Sequence, residues 1–199
     1  MRLFAFLSLS LALIFPNTAE VKSVQKTIIL GDSIVVSIRN EIAKELPNTI
    51  VNAYRSRTVA TSVLTDTGLA QLENLSMTKS QHWIVELGTN DAWSVSLTLK
   101  QIQIDIQRFA KRLLEVTPNK TCITWILPAI VSPVAPNIQK RAASVRRLLL
   151  DAKPKKQCWA FINWHDEVKA NRALVGRDGV HLSPTGKIRF MALLKSVIK

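Results

Sequence analysis

The sequence predicts an α/β fold, a three-layer sandwich whose five-stranded parallel sheet, of flavodoxin-like order 2-1-3-4-5, carries helices on both faces. Two patterns predict it. Five apolar runs of strand length, at residues 26–30, 48–54, 82–87, 121–127 and 157–163, alternate with segments of helical period. The first run is β-branched, ends at Gly31 and gives way at once to 3.6-residue spacing, as a buried parallel strand feeding a helix does. There is no internal repeat and no low-complexity linker, so residues 20–199 are expected to form one domain with a sizeable core.

In chain order, Met1 and Arg2 form a positive start, and residues 3–15 are apolar but for Ser8 and Ser10. Residues 1–19 therefore read as a secretory signal peptide ending at Ala19, with an uncleaved anchor as the alternative. The apolar run falls short of the ~20 residues a membrane span needs, and no stable transmembrane segment is expected in the mature chain. The expected location is secreted or periplasmic.

The run that follows, Thr27-Ile28-Ile29-Leu30-Gly31-Asp32-Ser33, puts Ser33 at a strand-to-helix turn. There a backbone N–H can face an oxyanion and the helix dipole favours developing negative charge. A turn with an N-cap serine is the plainer reading of three small polar residues. The third run ends in Gly88-Thr89-Asn90-Asp91, and the Asn90 amide could donate to the same oxyanion, because ligands bind beyond the carboxyl ends of parallel strands. Trp93, just beyond, is placed to stack on a sugar or acyl group.

The next helix, over residues 98–116, is expected to turn Leu99, Ile102, Ile106, Phe109 and Leu113 to the core, and Ile138, Ala142, Val145 and Leu149 repeat that spacing further on. The proline-dense segment 128–136 is read either as a wall of the substrate site or as a stiff surface connection. Cys122 and Cys158 open the fourth and fifth runs. In a secreted chain they are expected to pair as a disulfide, with two buried thiols as the alternative, and no metal-ligand spacing accompanies them.

Near the end, Asp178-Gly179-Val180-His181 sets a carboxylate and an imidazole three residues apart, and Ser183-Pro184 opens the last helix. A serine hydroxyl is a weak nucleophile until a base removes its proton, and that base works best when a carboxylate fixes its tautomer. His165-Asp166 is the weaker imitation of such a pair, His82 reads as structural, and Asp32 and Asp91 are expected to bind nearby backbone N–H groups. Trp83, Trp125, Trp159 and Trp164 read as core.

At these residues the sequence resembles the SGNH (GDSL-type) hydrolase superfamily over nearly the whole of residues 20–199. Its first block is similar to Gly31-Asp32-Ser33, its third to Gly88-Thr89-Asn90-Asp91 and its fifth to Asp178-Gly179-Val180-His181-Leu182. The resemblance implies Ser33 as nucleophile, His181 as general base, Asp178 as its partner, and an oxyanion hole made by Ser33 and Asn90. The family's second block adds the N–H of a glycine; residues 51–57 contain none, and Ser56 stands nearest that place. Members include esterases, lipases, carbohydrate acetylesterases and domains that O-acetylate envelope polysaccharides.

The formal charge is +13, from 27 Lys and Arg against 14 Asp and Glu. In a secreted chain this points to an anionic glycan or lipid surface rather than nucleic acid, for which there is no accompanying motif. Arg55, Arg57 and Arg177 are the basic residues expected near the substrate. The expected function is a secreted serine esterase acting on small acyl esters, O-acetyl groups among them, with no cofactor and no metal. Transfer to an envelope polysaccharide and a non-catalytic glycan-binding relic are the alternatives. Nothing in the sequence signals an oligomeric state.

Overall fold

The computed structural model describes residues 26–61, 66–76, 78, 80–154 and 158–198. The signal-peptide reading of residues 1–19 lies outside the described residues.

Five strands, β1 (Thr27–Gly31), β2 (Thr49–Ala53), β3 (His82–Glu86), β4 (Cys122–Ile126) and β5 (Trp159–Ile162), form one parallel sheet in the order β2-β1-β3-β4-β5. This is the order expected from the sequence. All five positions of β1 are buried, as a central strand covered on both faces requires, whereas β2 at the sheet edge is mostly half-buried.

Between the strands run α1 (Ser33–Val36), α2 (Arg39–Glu45), α3 (Gly68–Leu75), α4 (Thr89–Trp93), α5 (Leu99–Val116), α6 (Pro136–Asp151), α7 (Trp164–Ala170) and α8 (Pro184–Val197). A short 3-10 turn, Arg172–Leu174, precedes the last loop. Helix α5 packs beside α3 and α6, and its Phe109 ring meets Trp125 of β4 edge-on at 5.2 Å. Helix α8 is tied instead to α2, through Lys187 with Glu41 at 3.4 Å and Lys195 with Glu45. Among the described residues no helix is long and apolar enough to cross a membrane.

The stripe expected on α5 is buried at Ile102, Ile106, Phe109 and Leu113, but Leu99 is 40% exposed. Thr98 caps the helix by accepting from Gln101 N, so Leu99 is its first residue. Ile138, Ala142, Val145 and Leu149 of α6 are all buried. So are Trp83, Trp125, Trp159 and Trp164. Cys122 and Cys158 form a disulfide, their Cα atoms 4.6 Å apart, joining the starts of β4 and β5 at the edge away from Ser33.

Candidate active site

Ser33 owes its position to the two residues before it. A Cβ on Gly31 would come within 2.3 Å of Val35 Cγ2, so a glycine lets α1 turn back against the strand it leaves. Asp32 then caps α1, its Oδ1 accepting from Ile34 N at 2.9 Å. Ser33 follows as the first residue of the helix, half-buried, with its N–H among those that have no intrahelical acceptor.

The partner loop is built as carefully. Residues Val175 and Leu182 bridge antiparallel, and Gly176 N donates to His181 O at 2.7 Å. Gly179 takes a positive φ of 74°, which favours glycine, and a Cβ there would come within 2.4 Å of the Val131 carbonyl. Val131 N in turn donates to Gly179 O at 3.1 Å. The segment 128–136 thus braces this loop, with Ala129, Ile130 and Val134 turned into the core.

Inside the loop, Asp178 Oδ1 accepts from Val180 N and His181 N at 2.9 and 3.0 Å, while Oδ2 meets His181 Nδ1 at 2.7 Å. His181 Nε2 then lies 3.0 Å from Ser33 Oγ. With Nδ1–H donating to the carboxylate, Nε2 is left as an acceptor for the serine proton. Partial burial pulls the Asp178 carboxyl upward, but hydrogen bonds from Val180 N–H, the His181 ring and His181 N–H, with the histidine's charge, outweigh it. The net result lies below the ordinary aspartate value.

Asn90 stands in the first turn of α4, where its Nδ2 donates to Asp32 Oδ2 at 2.8 Å and to Arg57 O at 3.1 Å. Ser56, in the loop after β2, has φ 61°, the left-handed conformation that a glycine would hold with less strain. Arg55, Ser56 and Arg177 are exposed, and Trp93 is 44% exposed at the end of α4.

Arg57 departs from the expectation of a substrate contact. Only 3% exposed, it turns inward: Nη1 donates to Gly31 O at 3.2 Å and Asn52 O at 2.8 Å, and Nη2 to both oxygens of Asp66 at 2.9 Å. It therefore staples the carboxyl ends of β1 and β2 and offers its own carbonyl to Asn90.

His165-Asp166 lies within α7, where Asp166 bonds Asn163; it is not the base of this arrangement. His82 bonds Thr124 Oγ1 at 2.8 Å on β4, away from Ser33. Among the described residues no group of His, Cys, Asp and Glu is arranged to hold a metal ion.

Glu86 is what the sequence reading passed over. It ends β3, is 2% exposed, and its Oε2 accepts from Asp32 N at 3.4 Å. Burial, the adjacent Asp32 charge and a side-chain hydrogen bond to Asp32 push its carboxyl well up. Burial likewise raises Asp91 to about 7, against the downward pull of Val59 N. The signal for Glu86 was one charged residue inside an otherwise apolar run, directly before Leu87-Gly88.

No protein-family model matches the chain. It is 25% identical over 184 residues to a Staphylococcus aureus protein named, provisionally, an O-acetyltransferase, which covers 92% of this chain and 26% of that protein. It is 23% identical over 177 residues to the peptidoglycan O-acetyltransferase OatA of Listeria monocytogenes, covering 88% of this chain and 24% of that one. The chain thus spans about a quarter of the length of the curated relatives it matches.

Among solved structures, the C-terminal catalytic domain of Streptococcus pneumoniae peptidoglycan O-acetyltransferase OatA, carrying a methylsulfonyl adduct, superposes with a TM-score of 0.65 at 18% identity. That match covers 87% of this chain and 92% of that one. A lipase/acylhydrolase from Enterococcus faecalis gives 0.64 at 16% identity, covering 87% and 95%. TesA gives 0.62 at 18%, covering 88% and 98%. The sheet order, the helical layers and these neighbours agree: this chain has the fold of the SGNH (GDSL-type) hydrolases.

Proposed function

We propose that the chain is an extracytoplasmic serine enzyme that cleaves small acyl esters, O-acetyl groups on glycans among them, through an acyl-enzyme on Ser33. The contact that carries this reading is the 3.0 Å approach of Ser33 Oγ to His181 Nε2, with His181 Nδ1 held 2.7 Å from Asp178. Nucleophile, base and orienting carboxylate in that order are the minimum for acyl transfer. That geometry also argues against the non-catalytic relic.

In the proposed reaction His181 Nε2 takes the Ser33 proton as Oγ attacks the ester carbonyl carbon. The tetrahedral oxyanion rests on the N–H groups of Ser33 and Ser56 and on the Asn90 amide, which turns one N–H away from the Arg57 carbonyl, the longer of its two bonds. Collapse expels the alkoxide, which takes the proton back from His181, and the acyl group stays on Oγ. Water, deprotonated by His181, then repeats the attack and releases the acid.

A second reading has a specific observation behind it. The relatives that match 88% to 92% of this chain are named as O-acetyltransferases, so a sugar hydroxyl in place of water would make the same acyl-enzyme a transferase. The basic surface and exposed Arg55, Arg177 and Trp93 suit an anionic or glycan acceptor. The disulfide and the similarity to peptidoglycan O-acetyltransferases support a site of action outside the cytoplasm.

The deciding experiment is an acyl-length series of p-nitrophenyl esters, acetyl to dodecanoyl, run with and without a peptidoglycan-derived sugar acceptor. Hydrolysis that peaks at acetyl and vanishes in Ser33→Ala supports the enzyme. Acceptor-dependent diversion of acetyl into O-acetylated sugar selects transfer over hydrolysis. Undiminished activity in Ser33→Ala overturns both.

A further inference from the structure

Beneath Ser33 lie two carboxyl groups that the acyl-transfer steps do not touch. Asp32 is fully buried and Glu86 is 2% exposed, and Asp32 N reaches Glu86 Oε2 at 3.4 Å, which sets the two acids side by side away from water. We infer that Asp32 and Glu86 share one proton, and that this pair positions the Asn90 amide for the oxyanion. The inference rests on the acyl-transfer reading of Ser33.

The stoichiometry follows from burial and adjacency. Two carboxylates side by side away from water repel one another without compensation, so the pair keeps a proton, which supplies the donor that neither anion has. Asp32 already accepts Ile34 N at 2.9 Å on Oδ1 and Asn90 Nδ2 at 2.8 Å on Oδ2, contacts that favour its anionic form. The proton therefore sits on Glu86, as Oε–H donating to Asp32. Burial and the neighbouring anion push the Glu86 carboxyl well up, in keeping with that assignment.

The surrounding charges point the same way. From the loop after β2, the Arg57 guanidinium favours an anionic Asp32, and it is itself paired with Asp66. From the last loop, His181 acts on Asp32 in the same direction. Asp91 on α4 is a further buried acid, and it and Asp32 disfavour each other's charge, as Asp105 on α5 disfavours that of Asp91. Removing the Glu86 proton would place two anions in contact away from water. Asp32 must then move, and Asn90 loses the anchor that aims its amide.

Asp32 and Glu86 are positioning residues in this scheme; neither touches the substrate. A triad working through a neutral histidine stays active as pH rises, so an alkaline loss of kcat must come from elsewhere. The wild-type protein should lose kcat towards p-nitrophenyl acetate at alkaline pH, with KM little changed, and an infrared carboxylic-acid band should disappear with the same midpoint. Glu86→Ala should lower kcat by about tenfold to a hundredfold, the range set by weakening one oxyanion donor. Glu86→Gln, whose amide can still donate to Asp32, should recover most of that loss and abolish the alkaline limb, and its infrared difference spectrum against wild type should show one carboxylic-acid band missing.

An alkaline limb retained unchanged in Glu86→Gln, or a wild-type acid band that does not titrate with activity, overturns the inference. The band is read on wild-type protein, so a poorly folded variant does not spare it. Failure of the acyl-transfer reading looks different: the wild type would neither hydrolyse ester nor be labelled at Ser33 by a fluorophosphonate.

Discussion

Asp178 and Asp32 each stand one hydrogen bond from a group proposed to act on the substrate, yet they live in opposite surroundings. Asp178 is half exposed on a loop and holds His181; Asp32 is fully buried at the end of a central strand and holds Asn90. Three hydrogen bonds keep the exposed acid below its ordinary value, whereas burial raises both the deep acid and its neighbour Glu86. Solvent lets the loop carboxylate stay charged, as a partner that must stabilise an imidazolium should. The interior cannot tolerate a second charge, so the deep pair keeps a proton and serves as scaffold.

The sharpest way to break this contrast is at the surface side. Ser33→Ala should reduce esterase activity to background, a loss of at least ~10³-fold, and abolish fluorophosphonate labelling. His181→Ala should do the same to activity. Asp178→Asn should follow with a fall in kcat of about 10²- to 10⁴-fold, because an amide can hold the wrong imidazole tautomer. A triad variant that keeps wild-type turnover would remove the functional meaning of the loop.

Smaller effects are expected on the buried side. Asn90→Ala should cost ~10²-fold in kcat with little change in KM, since an oxyanion donor works in the transition state. Equal losses in substrate binding and turnover would instead make Asn90 a contact for bound ester.

These two sides were unequally legible in the sequence. Ser33 and Asn90 announce themselves because each follows an apolar run in the first turn of a helix, and Asp178 and His181 because a carboxylate and an imidazole stand three residues apart in the loop before Ser183-Pro184. The parallel sheet with helices on both faces followed from the alternation of strand and helix patterns. Glu86 was hidden because a strand buried on both faces reads as one continuous apolar run, and a single acid within it gives no period to detect. Arg57 was misplaced for a related reason. A lone arginine near a site reads as solvent-facing, and its burial depends on Asp66 and on carbonyls from two different strands, partners that only the folded chain assembles. Leu99 obeys the helical period but, as the first residue of α5, stays 40% exposed.

The mildest test of the contrast is thermodynamic, and Asp91 is suited to it. Its two carboxylate oxygens accept from Val59 N at 3.1 and 3.2 Å, and burial raises it to about 7. An unfolded aspartate titrates near ~3.9, so the folded state binds this proton more tightly than the unfolded state does. Its contribution to stability is therefore complete below ~4 and is lost as pH rises through about 7. Asp178 has the opposite sign: its value is depressed on folding, so its contribution is present above the unfolded value and lost as pH falls through the folded one. Asp91→Asn keeps one side-chain oxygen for Val59 N but cannot titrate. Urea unfolding midpoints should then change less between mildly acidic and neutral pH in Asp91→Asn than in wild type, while Asp178→Asn should flatten only the acidic end. If both variants altered the same pH window, burial would not be what separates the two sets of acids.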